Sequence, residues 1–371
     1  MRRFLTSLSA VPESPTQQPR WGALAAVIAV LSLASVSVAG QAPTAGASAA
    51  RAKTTVSAPT WTPSSRTPDG QPDLQGIYTF NTLTPLERPR ELGNQEFFAK
   101  EEVAKLEAQA DANRFADRAP REGDPGTYNR FWAAPGRPVK VVPSRRTSLI
   151  TDPPNGRKPP LTPEALKKQA ALLAATGATG VSGNGRLALD RADSWEDRDP
   201  YERCIARAIP RISQGYNHGI QIVQTPGYVV IHYESMHDTR IIPLDGRPHV
   251  DKNIRLWIGD SVGRWEGNTL VVDTTNFTDK VPFEGIPQGN MHFVERFTRI
   301  DSNMISDEVT VDDPTTWTRP WTFVLPWEKD DSYQIFEYAC HEGNEAMVGI
   351  LAGARAEEKA AEDASKKESS K

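Results

Sequence analysis

Cysteine is nearly absent from this 371-residue chain, which has only Cys204 and Cys340. The two are far apart, and without a Cys-x-x-Cys spacing they do not suggest dithiol redox chemistry or a zinc ribbon. A Gly-rich phosphate loop, a Gly-x-Ser-x-Gly elbow, a His-Glu-x-x-His helix and a dinucleotide fingerprint are all missing. Nucleotide-dependent and serine-hydrolase chemistries are therefore not expected, and neither is an organic cofactor. Charge of one sign is not in excess: the formal net charge is −4. That leaves no electrostatic footprint for nucleic acid or an anionic membrane surface. No internal repeat is visible.

The N-terminus carries a targeting pattern. Arg2 and Arg3 open the chain, Trp21 to Gly40 contains no charge, and Val38-Ala39-Gly40 supplies small residues. This layout predicts a secretory signal peptide over 1–40, with a retained N-terminal anchor as the alternative, because the apolar run approaches the roughly 20 residues that span a bilayer. The protein is thus expected in the periplasm or outside the cell, touching membrane only through that anchor. Residues 41–65 are rich in Ala, Ser, Thr and Pro and read as a flexible tether. Residues 354–371 are Glu, Lys, Ala and Ser and read as a charged, disordered tail or a frayed helix. Between them lies one domain, 66–353. In an oxidising compartment, Cys204 and Cys340 are expected to form a disulfide that closes a long loop.

Two helices are predicted in the front of this domain. Residues 94–115 place Phe97, Val103 and Leu106 at helical spacing. Residues 163–176 start after Thr162 as cap, with Pro163 in the first turn, and stop before Gly177. The remaining front portion is Pro-rich and is expected to wrap or pack on something else. From Gly219 the pattern changes to short alternating strands: IQIVQ, YVVIHYE, RIIPL, IRLWIGD, TLVVDTTNF, MHFVERFTRI, MISDEVTVDD, WTFVLPW and YQIFEYAC. Turn signals separate them and no helix intervenes. The economical arrangement is a mainly β fold, an antiparallel up-and-down barrel or curled sheet with a helical, Pro-rich wrapping segment.

Several runs resemble a large family of predicted exported proteins from soil bacteria. They are TPDGQPDLQGIYTF, TPLERP, RTSLITDPPNGRKPPLTPEA, ERCI, QIVQTPGYVVIHYESMHDTRIIPLDGRPH, GRWEGNTLVVDTTNF, VERFTRID, DPTTWTRPW and EYACHEGN. The resemblance covers about Thr67 to Arg355 and implies export and one shared fold, with no reaction attached. A smaller likeness is to lipocalin-like barrels, where Gly76-Ile77-Tyr78 stands at the place of a Gly-x-Trp that opens the first strand.

Alternation along strands selects the candidate site residues. Glu295 shares a face with Met291, Phe293 and Phe297, and Glu337 shares one with Tyr333 and Ile335. Asp273 lies with Val271 and Phe277, while His232 and Glu234 align with Tyr228 and Val230. A carboxylate on an apolar face is costly unless paired, and its raised pKa suits acid–base work. The bland alternative is a solvated Glu, or one paired with Arg296 or Arg299. The densest polar cluster is His232, Glu234, His237, Asp238 and Arg240, with His249 beyond it. It admits three readings: a metal held by His232, Glu234 and His237; a general base His237 oriented by Asp238, with Arg240 holding an anion; or a turn whose polar side chains only fix the backbone. His341, next to Cys340, is placed to line a barrel rim. Trp257, Trp265, Trp317, Trp321 and Trp327 are candidates either for core packing or for contact with an aromatic ligand. Arg145-Arg146 could hold a carboxylate or phosphate.

These residues point first to a barrel that binds a small, partly apolar or aromatic ligand. The alternatives are a cofactor-independent lyase, isomerase or hydrolase using His and Glu in the same barrel, and an envelope structural or interaction protein.

Overall fold

The computed structural model describes residues 65–114, 139–176, 180–181, 187–188, 192–212 and 217–369. The expected signal segment and most of the tether lie outside the described residues. Fourteen strands occur in chain order among the described residues. They are β1 (Gly76–Thr79), β2 (Ile150–Asp152), β3 (Gly180–Val181), β4 (Leu187–Ala188), β5 (Gly219–Thr225), β6 (Tyr228–Tyr233), β7 (Thr239–Pro243), β8 (Asp260–Glu266), β9 (Thr269–Thr275), β10 (Pro282–Phe283), β11 (Ile286–Pro287), β12 (His292–Arg299), β13 (Met304–Asp312) and β14 (Trp321–Lys329). Helices α1 (Lys100–Arg114), α2 (Pro163–Thr176) and α3 (Glu345–Ser369) accompany them. α2 has the predicted bounds, and α1 begins later than the 94 expected. Of the two forms expected for 354–371, a frayed helix or a solvated tail, the described part is helical: α3 runs through it to Ser369, with its surface largely exposed.

Nine strands form one antiparallel sheet in the order β7-β6-β5-β1-β14-β13-β12-β9-β8, and β2 adds to β14. The sheet curls into a nearly closed barrel, as the alternation predicts. β7 and β8 meet without a backbone ladder. Side chains close that seam instead: Arg240 on β7 donates to Ser261 on β8, and Ile242 and Leu244 fill the space beside Gly263. A Cβ at Gly263 would lie 2.8 Å from both aliphatic side chains, so the position must remain glycine for the seam to pack.

Two expected strands do not form. IRLWIGD is not a strand; β8 starts only at Asp260, and residues 244–259 form a strap over the outside of the barrel. YQIFEYAC is extended but joins no ladder. The edge of β14 that it would need is occupied by β1 at Glu328 and Lys329 and by β2 at Thr322 and Phe323.

The interior is filled. Tyr78, Ile222, Ile231, Leu270, Val272, Phe293, Phe297, Ile305, Val309, Phe323, Leu325 and Trp327 are all buried. An aromatic series continues through Phe277–Phe293, Phe283–Phe293, Phe283–Trp321 and Trp317–Trp321, with ring centroids 5.2, 5.2, 6.3 and 5.5 Å apart. Barrels of about eight strands are just narrow enough for side chains to fill them. The two ends differ. At one end the strands reverse in tight turns, 225–228, 266–269 and 299–304. At the other they are joined by the longer connections 233–239, 275–292 and 312–321. The scaffold therefore presents these three longer loops at one end, and binding residues are usually placed on such loops.

Candidate functional site

Two polar layers meet at the loop-bearing end. The deeper one lies inside the barrel. Alternation on β12 turns Glu295 inward with Phe293 and Phe297, as predicted, and β7 turns Arg240 toward it. Glu295 is 1% exposed and Arg240 3% exposed. The guanidinium binds Glu295 with two nitrogens, Nη1 to Oε1 at 2.9 Å and Nη2 to Oε2. It also donates to Ser261 Oγ and Thr274 Oγ1 at 3.2 and 2.9 Å, and reaches Tyr233 Oη at 3.5 Å. Burial works against its charge, but Glu295 and Tyr233 outweigh that and raise the Arg240 pKa further. Arg296 and Arg299 do not partner Glu295: Arg296 faces outward to Glu266, and Arg299 binds the carbonyls of Asp73, Asp301 and Ser302.

Asp307, on β13, is fully buried near the same pair, and neither carboxyl oxygen finds a hydrogen-bond partner among the described residues. Burial and the adjacent Glu295 carboxylate push its pKa well up, with Arg240 opposing. Sequence reading missed Asp307, although the alternation Ile305, Asp307, Val309, Val311 marks it in the same way as Glu295. A folded-state pKa above the unfolded one costs stability as pH rises past the ordinary value of 3.8. Asp307→Asn is expected to stabilise the protein by about 1–3 kcal/mol at neutral pH. The gain should shrink toward pH 4, and urea denaturation at both pH values measures it.

The shallower layer surrounds the turn after β6. Glu234 is completely buried, accepts from Asn217 Nδ2 at 2.5 Å and from Tyr333 Oη at 2.6 Å, and packs against Gly219. Burial, followed by the Glu234 carboxylate, pushes the Tyr333 hydroxyl pKa upward. Asp238 forms an ion pair with Arg211, whose guanidinium lies 4.3 Å over the Tyr233 ring and donates to the Ser235 carbonyl at 2.8 Å. Burial pushes Asp238 up to about 6 despite the opposing Arg211 charge. Met236 and His237 take consecutive left-handed conformations at φ 67° and 53°, and Cys204 and Asn217, which donates to Glu234, are left-handed too. Such strain in non-glycine residues costs of order 1–3 kcal/mol each and persists only where surrounding contacts impose it. Here the disulfide Cys204–Cys340 forms as expected, and Tyr338 N donates to His237 Nε2 at 3.1 Å. A disulfide of this kind belongs to an oxidising, non-cytosolic compartment.

The remaining candidates separate. His232 faces outward with Nδ1 on Thr239 Oγ1 at 2.8 Å, and burial lowers its pKa. His232, Glu234 and His237 do not converge, and among the described residues no group of three His, Cys, Asp or Glu side chains is arranged to hold a metal ion. Glu337 is exposed on a segment that is not a strand, and His341 is exposed beside the disulfide. Trp317, Trp321 and Trp327 belong to the core, and Trp265 packs against it. Arg145 donates to the Phe98 carbonyl and Arg146 pairs with Glu96. Asp273 points outward, where His249 and His292 each reach its Oδ1 at 2.9 Å.

Trp257 is the one indole of the five that lines a described cleft. It is 40% exposed on the strap and borders a groove of about 540 Å³ shared with Leu172, Arg198, Pro200, Arg203, Lys280 and Pro287. The groove continues along α2 into a second space of about 510 Å³ past Asp279 and Pro287. At its other end, beyond Asp199 and Pro282, it narrows to a slot of about 30 Å³ against Arg207, Arg211 and Phe283. Arg203 lies 4.5 Å over the Trp195 ring, forms no ion pair among the described residues, and has a buried Nε without a hydrogen-bond partner. Four acids share the groove with it: Asp197 accepts from Ser194 N, Asp199 from Tyr201 N and Asp279 from Gly289 N, and Glu196 lines it as well. The fold and this site define a class: a disulfide-bonded antiparallel β-barrel with a filled interior and an external groove at its loop-bearing end. Comparison with protein-family models, curated proteins and solved structures finds no match, so the argument for function rests on the site itself.

Proposed function

We propose that this is an exported β-barrel protein that binds a small, partly apolar organic molecule with an anionic group, in the groove beside Trp257 and not inside the barrel. The Arg203 guanidinium, which forms no ion pair among the described residues and is backed by Trp195, carries the reading. A planar guanidinium matches a carboxylate or phosphate bidentately. Trp257, Leu172, Pro200 and Pro287 offer the apolar body a wall, and the volume falls in the range typical of small-molecule sites. Anilinonaphthalene sulfonate has this combination of aromatic body and negative charge and serves as the probe. Trp257→Ala and Arg203→Gln are each expected to weaken its binding roughly tenfold, about 1.4 kcal/mol. Fluorescence titration of the folded variants checks this, and unchanged affinity in both sinks the assignment.

A second reading, a lyase, isomerase or hydrolase without an organic cofactor, is favoured by one observation. Asp238, pushed up to about 6, adjoins the strained Met236-His237 turn, and Arg211 connects that turn to the narrow end of the groove. A group that titrates near neutrality is suited to proton transfer. Turnover that falls with the acid form of Asp238 and vanishes in Asp238→Asn, with probe affinity retained, would establish it.

A further inference from the structure

The strap 244–259 is fastened to the barrel wall at one ionic cluster. Asp260 on β8, Asp273 on β9 and His292 on β12 are side by side on the outer face, and His249 reaches down from the strap between them. Its Nδ1 lies 2.8 Å from Asp260 Oδ2 and its Nε2 lies 2.9 Å from Asp273 Oδ1. His292 Nε2 lies 2.9 Å from that same oxygen. An imidazole can donate from both nitrogens only as the imidazolium, so the two contacts of His249 are both hydrogen bonds only when the ring is charged. Backbone bonds carry the fastening along the strap. Val250 N donates to Asp260, Asn276 Nδ2 donates to the Val250 carbonyl, and Leu256 N donates to the Asn276 carbonyl. The next residue is Trp257, one wall of the groove, and Asn276 leads directly to Asp279 and Lys280, the opposite wall.

We propose that His249 is a proton-operated latch that holds the strap, and through Trp257 and the 276–280 segment sets the shape of the ligand groove. The regulatory part rests on the groove assignment above; the latch itself does not. The ionisable groups facing the two rings are Asp260, Asp273 and, across the ladder from His292, Asp312 on β13. Of the strap cations, Arg247 is paired with Asp245 and Arg255 donates to the Gly289 carbonyl. The hydrogen bond to Asp273 raises the His292 pKa above its ordinary value, with burial opposing. Asp273 is pushed up by burial but held lower overall by His292 and His249. The sign of the pH dependence follows from these directions. The His292 contribution is complete below about pH 6.5 and is lost as pH rises through its raised value. The Asp273 contribution is present above about pH 4 and is lost as pH falls through its lowered value. Because His249 can donate to both Asp260 and Asp273 only as the imidazolium, the latch is closed in mildly acidic solution and releases on the alkaline side.

Hydrogen exchange of the full chain tests the latch without any ligand. After correction for intrinsic exchange, protection of the Ile254 and Leu256 amides is expected to be about tenfold greater at about pH 6 than at about pH 8.5. His249→Gln cannot donate from both sides of the ring and should give low protection at both pH values. Protection that is independent of pH in the wild type, or a wild-type pH response in His249→Gln, overturns the latch. Asp238 also titrates near neutrality, and His249→Gln leaves it untouched, which separates the two sources. Titration with anilinonaphthalene sulfonate at the same two pH values then tests the regulatory part. Binding about tenfold weaker at the higher pH, with that difference abolished in His249→Gln, supports it. Pronounced exchange changes with binding independent of pH refute the coupling to the groove, and absence of binding at either pH refutes the groove itself.

Discussion

Replacing Arg240 with methionine is expected to lower the stability of the protein by about 3–5 kcal/mol. The side chain reaches across the β7–β8 seam to Glu295, Ser261 and Thr274. Its loss leaves Glu295 as a buried carboxylate without a counter-charge, and Asp307 without the one cation that opposes its neutralisation. The cost comes from stranding the partner more than from losing the pair, because desolvation offsets most of the attraction between buried ions. The double variant Arg240→Met/Glu295→Leu is therefore expected to recover most of the loss. Chemical denaturation with an unchanged denaturant slope reads both effects. A single variant that stays within about 0.5 kcal/mol of wild type would show that the pair is solvated.

Removing the disulfide, by Cys204→Ser with Cys340→Ser, is expected to cost about 5 kcal/mol from loop entropy alone, because the bridge closes a loop with a sequence separation of 136. A local consequence should accompany it. Residues 333–340 join no ladder and are tied down by Tyr333 on Glu234, Tyr338 on His237 and the bridge. Without the bridge, the shallow polar layer should open before the barrel does. Denaturation of the variant should then be biphasic by hydrogen exchange, with the 333–340 amides losing protection first. Simultaneous loss of protection in the segment and the barrel strands would show that the tyrosine contacts suffice.

Most of the barrel was legible in the sequence because one face of each strand is buried and period-2 alternation records it. Glu295 among Met291, Phe293 and Phe297 is an example; the disulfide was legible separately, from two cysteines in a chain whose start reads as a targeting segment. Asp307 carried the same signal and went unread, since MISDEVTVDD contains three other acids that point outward or end the strand. The misplaced strands have a different cause. IRLWIGD has the composition of a strand, but Leu256 makes only an isolated bridge to Phe277, and the ladder begins past Gly259. YQIFEYAC lost its place to β1, the short strand that Gly76-Ile77-Tyr78 opens. The groove could not be read at all. Its walls come from α2, the 195–205 segment, the strap and the 279–287 ribbon, and their meeting is a property of the packed molecule. The Arg211–Asp238 and His249–Asp273–His292 contacts were hidden for the same reason.

The position of β1 also governs how the molecule is assembled. It lies between β5 and β14, with Tyr78 opposite both Ile220 and Lys329. The sheet thus has no stable left half and right half: its central ladder joins a residue near the front of the domain to one near its end. While the chain is being made, β5-β6-β7 and β8-β9-β12-β13 can each pair as separate antiparallel units, but the ladder between β1 and β14 waits for the last strand. Non-local closure of this kind is slow, of order milliseconds to seconds. The barrel therefore cannot close until β14 has been made, and the last strand of the sheet decides when the core is sealed from water.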